Sequence, residues 1–336
     1  MTIRFDVLGA AGRDNAVLIC IESGQSVSRL LIDCGENCLS DVPVSEIHDI
    51  DHVFFSHFHM DHVAGFDHFF RLTYQRTTKL NVIWGPPGSS EIMWHRFQGS
   101  LWNQYQDLTS QFDVHEIYPD RIVLTRFIGN EAFAIGHLLE TGPLVNHTII
   151  ETPEYSVQAY QMDHMTPSMA YIVREKPHVN IDTAQLAALG LRPGAWLKQI
   201  KTAQPNESAT IQIEGKTYQV TELRQQLLVE TPGDSLAYLT DFLMDKKAQE
   251  QLVTALQNCS VMICESQYLA ADRGLADRYY HMTSTQAAQT AHGAGVKQLV
   301  LFHLSDRYNK TEWLDLLKEA QAIFPNTTFP ADWMIA

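Results

Sequence analysis

Apolar residues in this chain fall into short blocks of four to six, separated by turn residues and by stretches with helical spacing. Residues 17–22 and 30–33 read as two strands of a hairpin turning around 24–28. Residues 52–56, rich in β-branched and aromatic side chains, form a third strand. A helix is expected over 63–72, a strand over 81–84, and a second helix from Ser89 after the turn Gly85-Pro86-Pro87-Gly88. Residues 110–175 are strand-rich. Later, strands at 236–240, 261–265 and 300–303 alternate with helices at 245–257, 283–291 and 310–324. Thr283 and Gln286 have the spacing of a capping box. Strands followed by helices in both halves predict a layered α/β fold.

The stretch 175–232 differs in character. It holds a short helical run at 183–189, the turn Leu191-Arg192-Pro193-Gly194 and a hairpin pattern around Glu214-Gly215. It reads as an insertion within a single domain spanning residues 1–336.

Composition narrows the classes. With 45% hydrophobic and 19% charged residues, the 336-residue chain can bury a sizeable core, which excludes disordered, collagen-like and coiled-coil architectures. No apolar run approaches the roughly 20 residues of a membrane span, and the N-terminal segment lacks the apolar core of a secretory signal. Five cysteines without zinc-ribbon spacing point to reduced thiols and a cytoplasmic location. A net charge of −15 argues against broad, non-specific binding to nucleic acid or to an anionic membrane. Metal ligands could account for part of that acidic excess.

Fifteen histidines are unusual, and their positions carry the chemistry. His57-Phe58-His59-Met60-Asp61-His62 places four potential ligands in six residues, directly after a buried-type strand. On a tight loop His57 and His59 point one way while Asp61 and His62 reach a neighbouring point, so the loop can serve two metal ions. Single candidates stand at other strand ends: His164, Asp241 and His303.

An HxHxDH cluster followed by His, Asp and His at strand ends resembles the metallo-β-lactamase superfamily, and within it the ribonuclease Z-like tRNA 3′-processing endonucleases. Further motifs carry the likeness from about Leu8 to Tyr308: Asp33-Cys34-Gly35-Glu36, Trp84-Gly85-Pro86-Pro87-Gly88, Leu189-Gly190-Leu191-Arg192-Pro193-Gly194, His281-Met282-Thr283-Ser284 and His303-Leu304-Ser305-Asp306-Arg307-Tyr308. The resemblance implies a four-layer αββα sandwich with the metal site at one edge of the facing sheets. It implies that His57, His59 and His164 hold one divalent ion, that Asp61, His62 and His303 hold another, and that Asp241 bridges them. Zinc is the expected metal, with manganese or iron as alternatives. Asp61 would orient or deprotonate the attacking water, His281 would protonate the leaving alkoxide, and Ser305 and Arg307 would sit beside the substrate phosphate. Phosphodiester cleavage needs these roles: a hydroxide near neutral pH, positive charge against the phosphoryl oxygens, and an acid for the departing oxygen.

Two departures bear on the substrate. Asn37-Cys38-Leu39 follows the DCGE turn where the family continues with Gly-Thr and a Gln. The 175–232 insertion occupies the place of the family's tRNA-gripping arm but has no dense basic cluster and no Gly-rich tip. A metal-dependent phosphodiesterase or endoribonuclease is therefore expected, with RNA weighed against a smaller phosphodiester or another ester such as a lactone or thioester. A homodimer is left open as its assembly. The complete ligand set argues against a catalytically silent protein.

Overall fold

The computed structural model describes residues 2–23, 26–103, 107–202, 209–333 and 335. The first half of the chain builds one sheet from β1 (Thr2–Gly9), β2 (Asn15–Glu22), β3 (Val27–Ile32), β4 (His52–Phe54), β5 (Asn81–Gly85), β6 (Gln111–Ile117), β7 (Arg121–Ile128) and β8 (His137–Pro143), arranged in chain order. β3 to β6 run parallel, and antiparallel strands flank them on both sides. The second sheet takes β9 (Thr148–Glu151), β10 (Tyr155–Asp163) and β11 (Pro167–Glu175).

After β11 come β12 (His178–Ile181), β13 (Thr210–Ile213), β14 (Lys216–Gln219) and β15 (Leu228–Thr231), which pair among themselves. The second sheet then resumes with β16 (Ser235–Leu239), β17 (Val261–Glu265), β18 (Gln298–Phe302) and β19 (Thr327–Thr328), in the order β19-β18-β17-β16-β11-β10-β9.

Three apolar layers account for the packing. Between the sheets, Ile19, Phe54 and Trp84 meet Val157, Tyr171, Tyr238 and Phe302. Outside the first sheet lie α1 (Val44–His48), α2 (Met60–Val63), α3 (Phe66–Thr73) and α4 (Ser89–Phe97), whose Ile47, Phe66, Phe69 and Phe97 cover Leu31, Phe55 and Val114. Beyond α5 (Thr183–Ala188), α6 (Trp196–Thr202) and α7 (Val220–Leu227), the helices α8 (Lys246–Ala255), α9 (Arg273–Tyr279), α10 (Ser284–Ala294) and α11 (Lys310–Ile323) complete the chain. Leu252, Ala287, Ala291 and Ala320 of α8, α10 and α11 cover the outer face of the second sheet. Helices, sheet, sheet and helices make the four-layer αββα sandwich. The expected capping box is formed, with Thr283 and Gln286 bonded reciprocally at the start of α10. Among the described residues no helix is long and apolar enough to cross a membrane.

The helix expected over 63–72 is instead two helices, α2 and α3, divided at Ala64-Gly65. The break has a steric and a polar cause. Gly65 lies so close to the 33–36 turn that an added Cβ would meet the Gly35 carbonyl oxygen at 2.1 Å, and its N–H donates to the Cys34 carbonyl at 2.9 Å. Gly35 is equally confined, since a Cβ there would meet the Asp61 carbonyl oxygen at 2.6 Å. The two glycines let the turn press against the back of the histidine loop.

The chain separates into two compact units, residues 1–174 with 234–336, and residues 175–233. The second unit has a core of its own, in which Leu186, Ile200, Ile211, Leu223 and Leu227 pack under α5, α6 and α7. The sequence pattern indicated α5 and the β13–β14 hairpin but not α6 or α7.

Gly65→Ala should destabilise the protein by about 1–3 kcal/mol, the usual cost of overpacking a site whose neighbour is backbone. Urea unfolding monitored by circular dichroism measures it, with Gly88→Ala as a comparison for backbone strain without crowding, because nothing lies within 4 Å of a Cβ there.

Candidate metal centre

The parallel strands deliver the polar residues to one edge. Asp33 follows β3, Ser56 and His57 lie just past β4, Asp241 follows β16, Glu265 ends β17, and His303 follows β18. Asp33, Asp241 and His303 adopt left-handed backbone, with φ of 57°, 38° and 50°. Such a kink turns a side chain across the strand end, and the packing on both sides must hold it there.

Every sequence-predicted metal ligand converges. The donor atoms of His57, His59 and His164 lie within 4.8 Å of one another, as do those of Asp61, His62, Asp241 and His303. Asp241 stands at the centre. Its Oδ2 is 3.4 Å from His62 Nε2 and 3.8 Å from the Nε2 atoms of both His57 and His164, while its Oδ1 is 3.5 Å from His303 Nδ1. Asp61 Oδ2 is 3.4 Å from His62 Nε2 and 3.2 Å from His303 Nε2.

The ring nitrogens show that the donor set suits a metal. His62 Nδ1–H donates to Asp33 Oδ2 at 2.8 Å, His57 Nδ1 lies 3.1 Å from the Ser56 hydroxyl, and His164 Nδ1–H donates to the Tyr280 carbonyl at 2.7 Å. Each ring is thereby held by its Nδ1 and turns its Nε2 toward the shared space, the arrangement usual for histidine ligands. His57 Nε2 and His62 Nε2 are buried without a hydrogen-bond partner. Uncompensated buried nitrogens are costly, and a cation relieves the cost. Burial depresses the His57 imidazole, which keeps it neutral with a free lone pair. Burial works against charge on Asp241, yet His303 and His62 hold its carboxyl well below the usual range. An all-nitrogen-and-oxygen set of this kind accepts divalent zinc, manganese or iron.

His281 stands beside the ligands, its Nδ1 3.9 Å from Asp241 Oδ2. It also bonds the fully buried Glu265, Nδ1 to Oε2 at 2.8 Å, and Glu265 Oε1 accepts the Met282 N–H at 3.1 Å. Burial disfavours the charged imidazolium, but Glu265 outweighs it and raises His281 to about 9. Ser305 and Arg307 lie on the loop after His303 rather than among the ligands. The Arg307 guanidinium sits 5.9 Å over the ring of Tyr268, which lines the same cleft as His59, Asp61 and His281.

Three supporting residues escaped the sequence reading. Asp33 was visible only as part of a motif, with no role attached. Glu265 closes an apolar strand just as Asp241 closes another, a signal that could have found it. Gln267, 2.9 Å from His303 Nδ1, carries no sequence signal.

Comparisons with known proteins bear on the family and the fold. The sequence profile of the family described as anti-Pycsar protein Apyc1 matches residues 13–185. The ribonuclease Z of Deinococcus radiodurans is 42% identical over 332 residues, which is 98% of each chain. Among solved structures, the metallo-β-lactamase fold protein YhfI from Bacillus subtilis superposes with a TM-score of 0.57 at 16% identity, covering 97% of this chain and 95% of that one. The short form of human tRNase Z gives 0.56 at 16% identity, covering 99% and 98%.

Asp33→Asn replaces an acceptor of four hydrogen bonds by an amide that must turn an N–H toward at least one donor. Metal affinity is expected to fall about 10–100-fold, read by competition with a chromophoric chelator. Unaltered affinity would confine Asp33 to a folding role.

Proposed function

The chain belongs to the ribonuclease Z family of metallo-β-lactamase-fold, metal-dependent hydrolases, sharing residues 13–185 with the anti-Pycsar protein Apyc1 family, and on that premise we propose that it cleaves RNA phosphodiesters at a dinuclear centre. The observation that carries the proposal is the position of Asp241, whose carboxylate lies within 3.8 Å of ring nitrogens from both ligand groups. His57, His59 and His164 would hold one cation, Asp61, His62 and His303 the other, and Asp241 would serve both. Zinc is the metal we assign, and the cytoplasm the compartment. Full-length similarity to ribonuclease Z favours RNA over the smaller phosphodiester or other ester that the acidic composition suggested.

When bound, the two cations supply a hydroxide near neutral pH and positive charge against the phosphoryl oxygens. The chain's own residues do the rest. Asp61, at the open side of the cleft, orients the attacking water and accepts its proton on a carboxylate oxygen. His281 holds a proton that Glu265 stabilises, and delivers it from Nε2 to the departing alkoxide oxygen. Arg307 and Ser305, on the loop beyond His303, would contact the phosphate flanks, where a planar guanidinium suits paired phosphate oxygens. Residues 175–233 would act as an arm for RNA. With six basic and six acidic side chains it has no net charge, so it would contribute shape and local contacts more than a positive field.

Protein purified without chelator should contain two divalent ions per chain by elemental analysis. Asp241→Ala should lower that content far more than Asp67→Ala, at an exposed residue paired with Arg96. A content fixed at one ion after supplementation would rule out the dinuclear centre.

His281→Ala should reduce kcat about 10²-fold or more with metal content intact. Glu265→Gln should do the same to a lesser extent. The double variant should be no slower than His281→Ala alone, because the two residues act as one unit. Additive losses would separate their roles.

Precursor tRNA and a small chromogenic phosphodiester, assayed side by side with metal-loaded protein, test the substrate. RNA cleavage should dominate in kcat/KM. The neutral arm predicts only a shallow dependence of RNA binding on salt, since each neutralised phosphate adds roughly −0.7 to −0.9 to the log–log slope.

A further inference from the structure

β10 runs past the start of β9: their register ends at Gln158 opposite Thr148, and β10 continues to Asp163, one residue before His164. Beside this overhang lies a cavity of about 450 Å³, within the roughly 300–1,000 Å³ range of small-molecule sites. Two of its lining residues, Asp163 and Leu243, are near chain neighbours of the candidate ligands His164 and Asp241. The Leu243 N–H, two residues beyond Asp241, donates to the Asp163 carbonyl at 2.9 Å. The floor is apolar, with Ile117, Ala159 and Met169, and the rim is polar.

The rim chemistry selects the ligand. Asp163 Oδ1 accepts the Met165 N–H at 3.0 Å and Asp245 Oδ1 accepts the Ala248 N–H at 2.7 Å, leaving each carboxylate one oxygen to offer. Gln161 and Gln251 add amides, and Lys247 is the lining's one lysine. Two carboxylates against one ammonium disfavour a phosphate, whereas acceptors and amides around an apolar floor suit the edge and faces of a planar base.

His147 supplies a face for it. It is the second central residue of a two-residue turn, in which Thr148 N–H donates to the Val145 carbonyl at 3.0 Å, and both Asn146 and His147 are left-handed, with φ of 51° and 60°. Such turns favour Asn-Gly, so a histidine stands where glycine would be relaxed. Its ring lies on Tyr160, centroids 4.2 Å apart and planes 23° from parallel, and it lines the cavity.

We propose that this cavity is a nucleobase subsite, which receives the base of a nucleotide near the scissile phosphodiester and stacks it beside His147. The proposal rests on the ribonuclease reading above and adds to it where an unpaired base goes. Base–aromatic stacking and edge contacts of this kind recognise single-stranded RNA.

His147→Gly removes the ring at a position that favours glycine, so thermal stability should not fall and lost function cannot be ascribed to misfolding. Gln161→Leu is the second variant. For each, kcat/KM is measured on precursor tRNA and on the chromogenic diester, and wild-type and His147→Gly protein, metal-loaded, are titrated with adenosine and cytidine while the histidine ring signals are followed by NMR. Nucleosides carry no phosphate and so do not compete for the cations. The expected result is a fall of about tenfold in the ratio of RNA to diester activity, with nucleoside-induced shifts of His147 in the wild type and no nucleoside binding at the cavity in His147→Gly. If wild-type protein cleaves RNA and both variants keep that ratio within twofold, the subsite is overturned and the ribonuclease reading stands. If wild-type protein cleaves only the diester, the ribonuclease reading fails, and the nucleoside titration alone decides: shifts at His147 retain a nucleobase site, and their absence removes it.

Discussion

A single buried carboxylate organises the centre. Asp33, fully enclosed, accepts the Ser56 N–H at 2.7 Å, the Ser56 hydroxyl at 2.8 Å, His62 Nδ1–H at 2.8 Å and the Tyr238 hydroxyl at 2.6 Å. A buried charge is tolerable only when its lone pairs are satisfied, and four donors meet that condition. The donors come from separate places: the exit of β4, the histidine loop and the facing sheet. Tyr171 donates to the Phe55 carbonyl at 2.7 Å and Met169 N–H to the Ser56 carbonyl at 2.8 Å, so the second sheet is tied twice to the strand exit that carries His57 and once, through Tyr238, to Asp33 beside it. Sliding either sheet would strand a buried polar group.

Strain and close approach are concentrated around that knot. Left-handed backbone at Asp33, Asp241 and His303 turns side chains inward where a strand would otherwise continue. Gly35 and Gly65 let two loops touch through backbone alone. Packing that over-determines these positions holds the candidate ligands in place by itself, which is how a site avoids reorganising when it works.

Net charge need not describe the local field. The chain carries −15, but only Asp61 and Asp241 among the proposed ligands are acidic. Two divalent cations held on two carboxylates would leave a locally positive centre able to attract phosphate whatever the distant surface carries, because exposed charges beyond about 10 Å are largely screened and buried ones much less so. The rim cavity shows the opposite polarity and suits a base.

Much of the site was legible in the sequence because its residues are chemically loud and end strands: His57 to His62, His164, Asp241 and His303 each follow an apolar run. The layered fold followed from strand–helix alternation, and the αββα arrangement from the resemblance those motifs carry. Asp33, Glu265 and Gln267 gained their roles only in three dimensions, since each acts by touching a histidine 16 to 36 positions away. The split of the 63–72 helix was likewise hidden, because its cause is the 33–36 turn pressing on Gly65. Local pattern determines which segments become strands and which residues stand at their ends. Which ring nitrogen is held and which is free depends on contacts between sheets, and no spacing along the chain encodes that.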